Sequence, residues 1–187
     1  MAVGRRDHLV DTALELFGRE GYHATGIDRI LARAGVAKMT LYKHFKSKDE
    51  LILAVLRRRD ERFRNWFMRD VERRARSPRD RLLALFDALG HWLASDGGAG
   101  CMFINASAEY ARPDDPIHMA ASEHLGLVLN YVRALTKSAG AKESDALADG
   151  LMLLMEGAII LSYVAGDGNA AARAKTAAEA LIQQARL

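Results

Sequence analysis

Between Lys38 and His44 five side chains able to donate hydrogen bonds, Lys38, Thr40, Tyr42, Lys43 and His44, fall within seven residues. Lys46 and Lys48 follow directly. Donors and cations at this density suit an acceptor-rich, negatively charged surface, such as the base edges and phosphates of a DNA major groove. Leu41 and Phe45 stand four apart, so on a helix they share the opposite face and can anchor it against Phe17, Ile27 and Ile30. The alternative is a helical hairpin with an incidental basic surface.

Other constellations carry less. Cys101 lies between a glycine loop and a helix start, where a helix dipole lowers a thiol pKa. It is a candidate redox sensor, although a small buried residue with no second cysteine to resolve a sulfenate is the plainer reading. Gly166-Asp167-Gly168-Asn169-Ala170-Ala171 fits a dinucleotide fingerprint in letters only, because it follows an apolar helix and not a strand. Asn105-Ala106-Ser107 is a sequon without a secretory context. His118 and His124 are six apart, off a common helical face, and have no partner at zinc spacing. No active site, metal site or cofactor is expected.

The elements that must position these residues are helices. The chain has 187 residues, of which 32 are alanine and 24 leucine, against 21 Val, Ile and Thr together, a balance that favours an all-α fold. A first helix is expected from about Arg6 to Glu20, stopped by Gly21, and a second over Ile27–Ala34, closed by Gly35. A third fits Lys38–Phe45. A fourth starts after Ser47 as N-cap and runs to about Arg76. Ser77-Pro78 opens a fifth, to about Ala94. After the loop Ser95–Gly100 come helices over about Cys101–Tyr110, Ile117–Ala139, 143–165 and 169–185. The count is about nine. The two short helices around Gly35 have the spacing of a helix-turn-helix, whose second member enters the major groove.

Charge supports that division. Residues 1–76 hold 18 Lys/Arg and 11 Asp/Glu, whereas the rest of the chain is mildly acidic. Nine of those arginines lie between Arg57 and Arg76 and read as the solvated face of one helix. The nucleic-acid argument therefore rests on residues 1–48, which still carry a surplus of four positive charges.

The run Gly21-Tyr22-His23-Ala24-Thr25-Gly26-Ile27, followed by Ala34-Gly35-Val36-Ala37-Lys38-Met39-Thr40-Leu41-Tyr42-Lys43-His44-Phe45-Lys46-Ser47-Lys48-Asp49-Glu50-Leu51, resembles the TetR family of transcriptional regulators over about residues 6–56. Gly100-Cys101-Met102-Phe103-Ile104-Asn105 through Glu109 resembles a segment of some members more weakly. The resemblance implies phosphate contacts from Thr25, Thr40, Tyr42 and Lys48 and base contacts from Lys38, Met39, Lys43 and His44. Lys46 joins the phosphate set from its place at the junction of the third and fourth helices. Two positions depart from the family: Ala37 replaces the usual Ser or Thr cap, at a cost of about 1 kcal/mol in other helices, and Met39 stands where glycine is frequent.

The remainder is expected to dimerise and bind a ligand, dividing the chain into a head of 1–47 and a body of 48–187. The helix over 143–165 is apolar almost all round, and the last presents Ala170, Ala171, Ala174, Ala177 and Ala178. Such surfaces need covering on both sides, and the resemblance implies a two-fold pairing of these two helices with their copies. Its longest apolar run, Leu151–Ala165, contains Glu156 and reads as a core helix, not a membrane span. Large and soft side chains with a few polar groups mark candidate effector-binding residues: Trp66, Phe67, Phe86, Trp92, Met102, Phe103, Asn105, Tyr110, His124, Met155, Glu156 and Tyr163. At any single position ordinary core is the simpler account. One cysteine fits a reducing cytoplasm, and Met1–Arg6 leads into a polar helix.

The expected function is a cytoplasmic, homodimeric regulator, most simply a repressor, that a small apolar or amphipathic effector releases from a pseudo-palindromic operator on double-stranded DNA. The alternatives are a regulator without an effector, or an all-helical enzyme or carrier acting on an apolar ligand.

Overall fold

A computed structural model describes residues 4–95 and 100–185. Among them nine helices follow in order. They are α1 (Arg5–Glu20), α2 (Ile27–Ala34), α3 (Lys38–His44), α4 (Lys48–Arg74), α5 (Pro78–Ser95), α6 (Met102–Glu109), α7 (Pro116–Ser138), α8 (Ser144–Ala165) and α9 (Ala170–Gln184). The all-α architecture is as the composition implies, and the ends fall within two residues of the expected ones. The central part of the expected Ser95–Gly100 loop lies outside the described residues.

Local chemistry sets the helix ends. Gly35 closes α2 in the left-handed conformation, φ 65°, which a Cβ would disfavour. At the start of α4 the Glu50 amide donates to Ser47 Oγ at 3.2 Å, while the Glu50 carboxylate accepts the Lys46 amide at 2.7 Å. This is a variant of the reciprocal capping box. Ser77 caps α5 in the same manner, accepting the Asp80 amide at 3.1 Å.

The chain divides into two compact units. The first holds residues up to Arg62 together with Met102–His124, and the second holds Phe63–Cys101 and Leu125 onward. The core of the first unit gathers Leu9, Ala13, Phe17, Tyr22, Ile30, Leu41, Phe45 and Val55, all nearly or fully buried. In the same unit Arg58 and Arg62 of α4 pair with Asp11 of α1 at 3.0 and 2.8 Å. Buried His124 donates from Nδ1 to the Asp60 carboxylate at 2.7 Å and stacks on Phe103 at 3.6 Å.

The second unit is built on Phe67, Leu85, Phe86, Leu89, Leu151, Met155 and Ile182. Small residues let its helices approach. A Cβ at Gly150 of α8 would stand 3.2 Å from Leu181 Cδ1, and one at Gly90 of α5 would stand 3.4 Å from Ala171 Cβ of α9. Lys175 reaches both carboxylate oxygens of Asp87 at 2.8 Å, tying α9 to α5. Burial alone would raise the Asp70 carboxyl, but Arg74, His91 and Arg73 outweigh it and hold the group below its ordinary range.

α8 is long and apolar enough to cross a bilayer by length and composition, with a mean hydropathy of 1.6. Seven of its residues, including Leu147, Leu151 and Met155, are nevertheless buried in the chain's own core. Glu156 stands out there. Its Oε2 is shut from solvent with no hydrogen-bond partner among the described residues, and burial pushes its carboxyl up to about 7 from an ordinary 4.5. The folded state therefore holds this proton more tightly than the unfolded chain does. The resulting stabilisation is complete below about pH 4.5 and is lost as pH rises through about 7. Urea unfolding of the wild type is expected to weaken across that window, relative to Glu156→Gln, by on the order of 2 kcal/mol. Parallel pH profiles for the two proteins would contradict this account.

Candidate nucleic-acid interface

α3 is seven residues long, too short to persist alone in water. Its N-cap, Ala37, makes no side-chain hydrogen bond, so the first amides rely on the backbone, as where Thr40 N donates to Ala37 O at 2.9 Å. Tertiary burial therefore holds the helix. Leu41 is 0% exposed and Phe45 3%, each worth about 1.5–3 kcal/mol. The Arg6 guanidinium lies over the Phe45 ring, 5.2 Å from its centroid. Of the residues expected to back this helix, Phe17 and Ile30 are buried, and Ile27 is half-buried.

With Leu41 and Phe45 facing in, helical geometry turns Met39 and Lys43 outward as an i, i+4 ridge, flanked by Thr40 and Tyr42. Met39 is 82% exposed and Tyr42 48%. Lys38, Lys43 and Lys46 are also exposed, and His44 is half-exposed with its ring beside Phe45. The expected set is thus gathered at α3 and its C-terminal junction, with two of the cations already engaged. Lys38 pairs with Asp28 at 3.6 Å, and Lys48 donates from Nζ to His23 O at 3.3 Å. Thr25 differs from the rest. Its side chain is fully buried, and its hydroxyl donates to Gly21 O at 2.7 Å.

The turn beneath α2 has a support from far along the chain. Glu109, the last residue of α6, accepts the Tyr22 amide on Oε1 at 2.8 Å and the His23 amide on Oε2 at 2.5 Å. Tyr22 OH donates to Met102 O at 3.0 Å, and the His23 ring lies 4.7 Å from that of Tyr110. Burial, together with Asp49, Glu109 and Asp115, pushes the Tyr110 phenol up to about 12, so it remains a neutral donor, hydrogen-bonded to Asp49. Gly21, at φ 85°, leaves room for the carboxylate; a Cβ there would stand 3.0 Å from Glu109 Oε1. Sequence reasoning assigned Glu109 no such role. The only pointer was the family-like segment Gly100–Glu109, which does not say what the carboxylate holds.

The twelve candidate effector residues divide between the units. Trp66, Phe67 and Trp92 gather around Phe63 in the second unit, with ring separations of 5.4–6.4 Å. Phe86, Met155, Glu156 and Tyr163 belong to that unit as well. Met102, Phe103, Asn105, Tyr110 and His124 belong to the first, where Met102, Tyr110 and the stacked pair Phe103–His124 make the contacts just described. Cys101 is buried, 8% exposed.

Residues 9–55 match the model for bacterial regulatory proteins of the tetR family, and residues 78–178 match that for the tetracyclin repressor-like C-terminal domain. Among solved structures, a TetR-family transcriptional regulator from Streptomyces coelicolor superposes with a TM-score of 0.89 at 31% identity, covering 97% of this chain and 95% of that one. The transcriptional activator FasR of Mycolicibacterium smegmatis is 42% identical over 92 residues, which is 49% of this chain and 42% of FasR. The regulator YjdC of Escherichia coli is 21% identical over 83% of this chain and 81% of its own length. The match to FasR thus spans less than half of that relative.

The Glu109 contacts generate a test. Glu109→Ala should speed amide exchange at Tyr22 and His23 about tenfold or more, since it removes the acceptor of both, and should lower stability by about 1–2 kcal/mol. Unchanged exchange at the two amides would show that the turn holds itself.

Proposed function

The chain belongs to the TetR family of transcriptional regulators, and from that premise we propose that it is a homodimeric repressor whose two α3 helices read a pseudo-palindromic operator. As a family member it is a DNA-binding regulator and not an enzyme. The observation that carries the finer reading is the outward Met39–Lys43 ridge on a helix fixed by Leu41 and Phe45. Lys38, Lys43 and His44 meet base edges beside Met39, while Thr40, Tyr42, Lys46 and Lys48 hold phosphates. Thr25 serves that backbone contact indirectly, by fixing the turn before α2. The regulator works in the cytoplasm.

A second copy is the natural cover for α8. Leu153 and Val164 are 75% and 74% exposed, and Ile160, Leu161 and Tyr163 are also exposed. A row of this kind on a helix already half-buried in its own core supports association through α8 and α9, and two-fold symmetry matches an inverted repeat. Repression is the simpler sign of regulation, because occupying a promoter requires no further surface.

An effector is supported by buried polar atoms of the second unit that have no hydrogen-bond partner among the described residues, Trp92 Nε1, Tyr131 OH and Glu156 Oε2, with Arg133 Nε a fourth. An apolar or amphipathic ligand carrying a donor for Glu156 and an acceptor for Trp92 would satisfy what the protein leaves open. α4 is one continuous helix shared by both units, so a displacement of its later turns reaches the turns that begin next to α3. Release then requires that the effector favour the form that does not bind DNA; tight binding alone shifts nothing.

Capture of genomic DNA fragments by the purified protein at about physiological salt tests the reading, because non-specific phosphate binding is then weak. The expected result is an enriched inverted repeat that Lys43→Ala no longer enriches. Leu153→Asp should shift sedimentation from dimer to monomer and abolish capture. Enrichment of no sequence, with and without cell extract added to supply a corepressor, would overturn the proposal.

A further inference from the structure

The reading surface contains one side chain whose chemistry does not match its neighbours. Around Met39 stand Lys38, Thr40, Tyr42 and Lys43, all donors suited to acceptor atoms. Met39 can neither donate nor carry charge, yet at 82% exposure it projects further into solvent than Leu153, at 75%, the next most exposed large apolar side chain among the described residues. It does not extend an apolar patch, since in its own unit the other exposed large apolar side chains are Tyr42, on a flank of α3, and Met119, on α7. At that exposure Met39 adds little to packing among the described residues.

The major groove presents acceptors and donors at every base pair, but only one apolar group, the C5-methyl of thymine. Lysine and threonine at the neighbouring positions read acceptors that several bases share. A thioether side chain with three rotatable bonds can settle on a methyl group and exclude water from it. We infer that Met39 is a specificity residue that reads thymine through its 5-methyl group, so that each operator half-site carries a thymine under the start of α3.

Its place in the site can be fixed further. Met39 and Lys43 are one helical turn apart, about 5–6 Å between Cβ atoms, and stacked bases are about 3.4 Å apart. The base that Lys43 reads therefore lies one or two steps from the thymine under Met39. The order of the two along the half-site follows the direction of α3. This inference rests on the reading of α3 as the DNA-reading helix.

The test removes a single methyl group. In a duplex carrying the captured repeat, each thymine is replaced in turn by deoxyuridine, and binding of wild type and Met39→Ala is measured by fluorescence anisotropy. One position in each half-site should show a wild-type loss of about fourfold, as expected for one buried methyl-sized group. Met39→Ala should bind the unmodified duplex more weakly by at least that factor and be indifferent to deoxyuridine at that position alone. Met39→Leu, which keeps an apolar reach, should retain the sensitivity. Because Met39 is 82% exposed, its variants should keep the wild-type circular dichroism and melting profile. Equal deoxyuridine sensitivity of wild type and Met39→Ala at every thymine would overturn the inference while leaving the regulator in place. Failure to capture any repeat would instead overturn the regulator itself, and the inference with it.

Discussion

Seating Leu41 and Phe45 in the core of the first unit is the constraint on which the reading surface depends. α3 has seven residues and no side-chain N-cap, so neither length nor capping can hold it. Burial of two side chains one turn apart does so, and it fixes rotation about the helix axis as well as position. The outward ridge of Met39 and Lys43 is the geometric consequence. The wall behind them, Phe17 and Ile30, belongs to α1 and α2, and the turn joining those two helices is held in turn by Glu109 of α6. The surface proposed to read DNA in the first 48 residues thus takes part of its rigidity from residue 109.

Its electrostatics are poised in a similar way. Lys38 is tied to Asp28 and Lys48 to a backbone carbonyl, but both contacts are long and exposed. Surface pairs of this type are worth about 0–1 kcal/mol, so a phosphate or a base acceptor can displace them at small cost while the chain stays ordered in its absence. In the second unit the balance is reversed. Asp70 is buried yet satisfied by three partners, whereas Glu156, Trp92 and Tyr131 each bury a polar atom that no described residue meets. The first arrangement is structural, and the second is where the proposed effector would find its polar partners.

Much of this was legible in local sequence, and the exceptions share a cause. Gly21 and Gly35, Ser47 and Ser77-Pro78 gave the helix ends, because caps act over three or four residues. Leu41 and Phe45 gave the orientation of α3 through their spacing. The Glu109 clamp joins residues 86 and 87 apart, and no periodicity reports such a pair. The inward turn of the Thr25 hydroxyl and the engagement of Lys48 likewise depend on where the chain comes back, not on residue type. The aromatic and methionine residues were recognisable as a set, but their allotment to two separate units was not, because hydrophobicity marks what is buried without saying beside what.

The central claim is that α3 reads the major groove twice, under two-fold symmetry. Dimethyl sulfate, which methylates guanine N7 in that groove, tests it most directly on the captured operator. Two protected patches should appear, centred about one helical turn or a whole multiple of it apart on one face of the duplex, and both should vanish with Lys43→Ala. A single patch, or binding that leaves every guanine N7 open to methylation, would contradict the account.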